Sequence, residues 1–520
     1  MEKGNNMTTT MMILAIILYM LGMILVGVKY SKKNTSADDF YLGGRKLGPF
    51  VTAMSAEASD MSSWLLMGLP GVALLTGVAN KTGFAEAVWT AVGLGLGTYI
   101  NWLIVARRIR LYTAKTGSFT IPAFFSDRFG DKKGILTLVS AIAIVVFFVP
   151  YAASGFSGIG KLFNSLFGVD YHTIMIIGAI IVIGYTVVGG FLAASTTDFI
   201  QSIVMTFALF VVVCFGIENA GGLGNIFTSI KNIDGIDSLK QYFSLTGTDF
   251  KCYGFLPIVS TLAWGLGYFG MPHILLRFMA IEDPNKLKLS RRIASVWVVI
   301  SMAIAIFIGV IGFTFALNSG LLSGESFDSE RIVIHMAGAI AKLDSFAAII
   351  AGLIISGILA SIMSTADSQL LAAASSVSEN IIKRFVWKNL SIKGTVWLAR
   401  ITVVIIAVIS TAIAWNPDAS IFRIVSFAWA GFGAAFGPVV LCALFWRRTN
   451  MWGALAGMAS GGVMVFVWKY AVRPLGGAWD IYELLPAFIV ALVAIIVVSL
   501  ATKAPDKSVT DTFDEVKKMV

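Results

Sequence analysis

Apolar residues run along this chain in blocks of about twenty, separated by short polar connections. A transmembrane helix needs roughly 20 predominantly apolar residues at 1.5 Å rise each. Thirteen stretches meet that requirement: about 8–28, 49–77, 84–105, 134–160, 171–191, 196–217, 254–276, 293–317, 345–372, 396–414, 422–446, 452–470 and 484–502. The pattern predicts an all-α polytopic membrane protein. The first stretch lacks a basic leader and a small-residue cleavage site, so it is expected to stay as a span. No linker divides 1–502, which reads as one transmembrane domain, with 503–520 as a polar tail.

Composition agrees with lipid as the solvent. Hydrophobic residues make up 57% of the 520 and charged residues 13%, against about 25% charged in soluble domains. That balance excludes a soluble enzyme, a secreted disulfide scaffold and a disordered chain. Cys214, Cys252 and Cys442 are far apart, as are His172, His273 and His335, so neither a disulfide framework nor a zinc site is indicated.

A net charge of +10 raises the possibility of nucleic acid, and its distribution removes it. Lysine and arginine gather in alternate connections, 29–46, 107–133, 277–292 and 383–400, then at Arg447, Arg448 and the tail. The positive-inside rule puts those segments in the cytoplasm. The amino terminus is then outside, the carboxyl terminus inside, and the expected location is the plasma membrane. No protein partner is implied. There is no phosphate-cradling G-x-x-x-x-G-K-[ST], so ATP-driven transport is not expected. Three other classes fare worse than a carrier. A channel lacks a filter-like repeat, a sensor has no room in the tail, and no nucleophile–base grouping suggests an enzyme.

Ionisable residues inside a membrane are costly and point to function. Glu57 and Asp60 lie three apart within Ser-Ala-Glu-Ala-Ser-Asp-Met-Ser-Ser-Trp (55–64), a stretch able to unwind and free carbonyls for a cation. Two salt-bridged acids, or a small-residue packing face, is the plainer alternative, although no intramembrane Lys or Arg stands out as partner. Ser361, Ser364, Thr365 and Ser368 share one helix face beside Asp367. Hydroxyls without thiolates or imidazoles suit a hard cation such as Na⁺, and back-bonding to their own helix competes. Asp198 fits ion conduction or helix N-capping. Three glycines and Pro272 in 261–277 predict a broken helix carrying Trp264 and Tyr268 on one face. That face is either a lid over a small solute or interfacial packing.

Several of these segments resemble the solute:sodium symporter family, most closely its bacterial sodium/proline symporters. They include 55–71, Tyr41-Leu42-Gly43-Gly44-Arg45, 189–193, 264–275, 363–371 and 428–438, and the resemblance runs from about residue 12 to 502. It implies a LeuT-like core of two inverted five-helix repeats, about 49–217 and 254–446, with 8–28 peripheral and 452–502 additional. It implies no cofactor beyond Na⁺ as coupling ion, bound by carbonyls of Ala58, Met61 and Ser361 and hydroxyls of Ser364 and Thr365. Asp60 matches a carboxylate needed for sodium coupling, and Asp198 an acid linked to sodium release or a further cation. The solute implied is proline, at Ser62, Trp64, Tyr151, Trp264, Tyr268 and Pro272. Three residues of the expected pocket depart from the pattern: Glu57 and Ser63, where glycine is usual, and Met271, where glutamine is. These leave another amino acid or amine, coupled to Na⁺ or H⁺, as the alternative cargo.

Overall fold

In hydrocarbon each backbone N–H and C=O must find its partner inside the protein, so apolar blocks of this length become helices. The structure, a computed structural model, describes residues 2–31, 37–78, 82–233, 238–248, 251–323, 327–387 and 389–520. Its leading helices, in chain order, are α1 (Met7–Tyr30), α2 (Pro49–Asp60), α3 (Trp64–Leu74), α4 (Gly83–Thr116) and α5 (Ile135–Phe167). Next come α6 (Tyr171–Gly184), α7 (Gly189–Asn219), α8 (Phe255–Gly270), α9 (Pro272–Ala280) and α10 (Pro284–Asn318). The last are α11 (Ser345–Val386), α12 (Gly394–Ile413), α13 (Ile421–Phe445), α14 (Met451–Leu475), α15 (Leu484–Ala501) and α16 (Lys507–Met519). Among the described residues ten of these are long and apolar enough to cross a membrane, and α3, α6 and α8 are shorter apolar helices. A two-residue antiparallel pairing of 247–248 with 251–252 is the only strand structure among those residues.

The chain is therefore a multi-pass membrane protein, with two of the expected spans built differently from simple rods. Span 49–77 is two half-helices, α2 and α3, separated at Met61–Ser63. Span 254–276 is likewise α8 and α9, broken where Met271 is extended and Pro272 opens the second helix. Proline at a helix's first position lacks only an N–H that would be unpaired anyway, so the break costs little there. Gly190, at φ 70°, kinks the chain at the start of α7 in a positive-φ conformation that glycine adopts without strain.

Helix α11 packs against α1, α5 and the α6–α7 pair, while α13 packs against α5, α8, α14 and α15. Burial ranks them: 94% of the apolar window of α13 is inside the protein, against 33% for α12, α14 and α15. Both breaks lie in the interior, where Met61, Ser62, Ser63, Gly270, Met271 and Pro272 are all buried.

Two charged clusters lie outside the reach of periodicity. Lys161, near the end of α5, is buried and donates to Glu330 Oε2 at 3.0 Å. Glu330 also accepts from the Ile421 and Phe422 N–H groups at the start of α13 (3.0 and 3.1 Å) and from Ser420 Oγ (2.8 Å). One carboxylate so caps α13 and ties it to α5. The expected polar tail also proves to be structured: α16 buries Phe513 beneath the Arg128 guanidinium (4.9 Å) and pairs Asp514 with Arg447 (2.9 Å).

Close approach of α4 to α8 depends on glycine. A Cβ on Gly97 would run into the backbone of Gly265, whereas one on Gly95 would meet only Val299 Cγ2 at 3.8 Å. Gly97→Ala is expected to destabilise the protein by about 1–3 kcal/mol through overpacking. Gly95→Ala is expected to be neutral or slightly stabilising, since glycine costs a helix about 0.5–1 kcal/mol relative to alanine. Melting midpoints of the two variants in detergent check the difference; equal midpoints would refute the contact.

Candidate functional site: a broken helix facing a hydroxyl-rich one

The last residues of α2 position the site. Met61 N–H still reaches Glu57 O (2.8 Å), but the Ser62 N–H turns back to Asp60 O (2.9 Å). The Ala58 carbonyl thereby loses the donor a continuous helix would give it. It accepts instead from Ser364 Oγ on α11, at 2.8 Å. Ser364 Oγ also lies 3.2 Å from Ser361 O, and Thr365 Oγ1 donates to that carbonyl at 3.0 Å. Ala58, Ser361 and Ser364 are wholly buried and Thr365 is 3% exposed. Back-bonding of the α11 hydroxyls is thus present, and the bond across to Ala58 is what it does not explain. Met61 forms the cap of α2 at φ −81°, ψ 75°, outside the helical region. Four of the five oxygens expected around a cation are therefore bonded to one another, with Met61 at the adjoining break.

Beside it lies the aromatic set. Asp60 is the hub: its carbonyl accepts from Trp64 Nε1 (3.0 Å) and Tyr151 Oη (3.1 Å), and its carboxylate from Tyr268 Oη (2.7 Å). Trp64 N–H approaches Ser62 Oγ at 3.4 Å. Trp264 stands 6.5 Å from the Trp64 ring and stacks on Tyr482 at 5.1 Å. Trp429 Nε1 donates to Trp264 O at 2.7 Å and fixes the broken segment from α13. Ser63 faces α5 next to Gly158, and Met271 and Pro272 form the α8–α9 break. All of these are buried, so the site is closed to solvent in this conformation.

Glu57 does not join the aromatic set. Its Oε1 accepts from Trp102 Nε1 on α4 at 2.8 Å. Trp102 in turn packs on Phe278 at 4.4 Å between ring centroids.

Asp198 requires a correction. It lies inside α7, well past the Gly190 break, so it caps no helix start. Its partner is Arg277, which the charge pattern assigned to an inner loop but which is a 1% exposed residue of α9. Arg277 Nη2 donates to Asp198 Oδ2 at 3.0 Å and to Ser368 Oγ, Nε donates to Ser55 Oγ (3.0 Å), and Nη1 to His273 O (3.0 Å). Ser55 Oγ also donates to Asp198 (2.7 Å), and Ser368 to Asp367 (3.1 Å). One guanidinium thus joins α2, α7, α9 and α11. An intramembrane arginine partner does exist, for Asp198 rather than for Glu57 or Asp60. Sequence reasoning also missed Trp102, Trp429 and Asn101; a lone side-chain amide in the apolar run 84–105 was the available signal for the last.

A family model described as the sodium:solute symporter family matches residues 40–461. A sodium/proline symporter of Salmonella typhimurium is 42% identical over 97% of this chain and 96% of its own length. A high-affinity proline transporter of Bacillus subtilis, PutP, is 43% identical over 95% and 98%. Among solved structures, a Na⁺-coupled sialic acid symporter in a substrate-bound outward-open state shares the fold, with a TM-score of 0.75 over 95% of this chain and 98% of that one. Its sequence identity is 18%. These relatives are transporters, not enzymes.

The Arg277 cluster yields a stability test. Asp198→Ala leaves a buried guanidinium without its counter-charge, which costs about 3–5 kcal/mol. The double variant Asp198→Ala/Arg277→Met is expected to recover much of that loss. Thermal unfolding in detergent measures both, and a double variant as unstable as the single one would contradict the pairing.

Proposed function

Since the chain belongs to the sodium:solute symporter family, we propose that it imports L-proline together with Na⁺ by alternating access. The observation that carries this reading is the Ser364–Ala58 hydrogen bond. It holds a carbonyl from a broken helix and hydroxyls from α11 together as an oxygen-only set. Such a set suits a hard monovalent cation, and the carboxyl end of a half-helix carries the partial negative charge that favours one. Ala58, Met61 and Ser361 supply carbonyls and Ser364 and Thr365 hydroxyls. Ser62, Trp64, Tyr151, Trp264, Tyr268 and Pro272 hold the solute, with Ser63 and Met271 at its margin. Asp198, paired with Arg277, acts on the release path.

The cycle follows from population shift. Na⁺ closes the gap between α2 and α11 and favours the state in which the Trp64–Tyr151–Tyr268 surface is formed; solute then closes the outer side, and release follows inside. Asp60 couples the two, because its backbone and side chain hold Trp64, Tyr151 and Tyr268 in place. One Na⁺ crossing about 100 mV yields roughly 2.3 kcal/mol, and a tenfold gradient adds about 1.4. Together they support accumulation of order several hundred-fold. In this reading the chain crosses the plasma membrane thirteen times, amino terminus outside and carboxyl terminus in the cytoplasm. Its repeats are 49–217 and 254–446, and no protein partner or nucleic acid is involved.

The bond from Trp102 to Glu57 supports proline over a cationic solute, because it draws that acid toward α4. Radiolabelled uptake into proteoliposomes under an imposed Na⁺ gradient tests the whole reading. Proline is expected to accumulate only with Na⁺ outside and to outcompete other amino acids and amines. Glu57→Gly is expected to rank proline first as the wild type does; a wild type that prefers basic amino acids, lost in the variant, would overturn the choice of solute. Ser364→Ala is expected to raise the Na⁺ concentration for half-maximal uptake about 10–100-fold, the worth of one charge-assisted contact. An unchanged Na⁺ dependence would remove Ser364 from the site.

A further inference from the structure

Glu57 and Asp60 stand on one face of α2, 1% and 0% exposed. Each carboxylate has one oxygen satisfied, by Trp102 Nε1 and by Tyr268 Oη. The other oxygens, Glu57 Oε2 and Asp60 Oδ1, have no hydrogen-bond partner. Two more fully buried oxygens are in the same condition on α4, Asn101 Oδ1 and Thr98 Oγ1. They belong to one neighbourhood. The Asn101 amide donates to Tyr268 O at 3.0 Å, Thr98 stands one turn earlier on the same face of α4, and the Tyr268 hydroxyl donates to Asp60 Oδ2 at 2.7 Å. Trp102, which holds Glu57, is the residue after Asn101.

Two carboxylates this close in a low-dielectric interior cannot both be charged without a compensating cation. The basic group of α9 does not serve, because Arg277 is committed to Asp198, Ser55, Ser368 and the His273 carbonyl. We propose that Glu57, Asp60, Asn101 and Thr98, with the Tyr268 hydroxyl, form a second Na⁺ site between α2, α4 and α8. An all-oxygen donor set with two carboxylates selects a hard cation. The site is separate from the first, which uses α11. It rests on the symport reading and deepens it: two Na⁺ move with each solute, and the second binds where Tyr268 touches the coupling carboxylate.

The full-length chain in proteoliposomes tests this. With a tenfold inward Na⁺ gradient at zero membrane potential, two coupled ions set a limit of about 100-fold proline accumulation and one ion about 10-fold. Wild type is expected to approach the higher limit and Glu57→Gln the lower, with Asn101→Ala as a second variant that removes a ligand and leaves both acids. Equilibrium ²²Na⁺ binding to purified protein is expected to count two ions per wild-type chain and one in Glu57→Gln. A wild-type count of one, or two retained in Glu57→Gln, overturns the site. Accumulation that rises with an imposed inward proton gradient at fixed Na⁺ overturns it too, by assigning the charge to a proton. Absence of Na⁺-driven proline uptake in wild type sinks the transport reading instead, and the ²²Na⁺ count still judges the site.

Discussion

A helix interrupted inside a membrane must place its freed backbone groups somewhere, and the interruption of α2 at Met61–Ser63 organises this protein. Water is not at hand to satisfy them, so each orphan group needs a protein partner or a ligand. The Ala58 carbonyl finds Ser364, and the Asp60 carbonyl finds Trp64 and Tyr151. Those bonds tie α2 to α11 and α5, while the Asp60 side chain reaches α8. The oxygens proposed for the cation and the aromatics proposed for the solute are therefore two sides of one defect, and a change in either is felt through three residues of backbone.

The surrounding structure makes that defect tolerable. Arg277 joins four helices around Asp198, which fixes α2 through Ser55. Glu330 holds the start of α13 and the end of α5. Glycine pairs let α4 touch α8 backbone to backbone, so the broken α8 segment is supported along its length. Each device is a buried polar or backbone contact that replaces water, and each has its full complement of neighbours only when several helices are in place.

Much of this was legible in the chain. The α2–α3 break was visible because Ser, Asp and small residues concentrate at 55–64, and the α8–α9 break because Pro272 follows a run of glycines. The hydroxyl face of α11 followed from helical spacing, and its match to Ala58 came from the family resemblance. What stayed hidden depends on partners far away in sequence. Arg277 looks like the first basic residue of a loop until Asp198, 79 positions earlier, is seen beside it. Lys161 and Glu330 are 169 apart, and neither alone indicates a buried pair. The tail helix was unreadable for a related reason: its apolar residue Phe513 acquires meaning only against Arg128.

The central claim, that the α2 break and the α11 hydroxyls hold Na⁺ in the absence of solute, is tested most directly by equilibrium ²²Na⁺ binding to purified protein without proline. Wild type is predicted to bind saturably, and Ser364→Ala/Thr365→Ala to lose one ion per chain. A double variant that binds as many ions, with the same affinity, would contradict it.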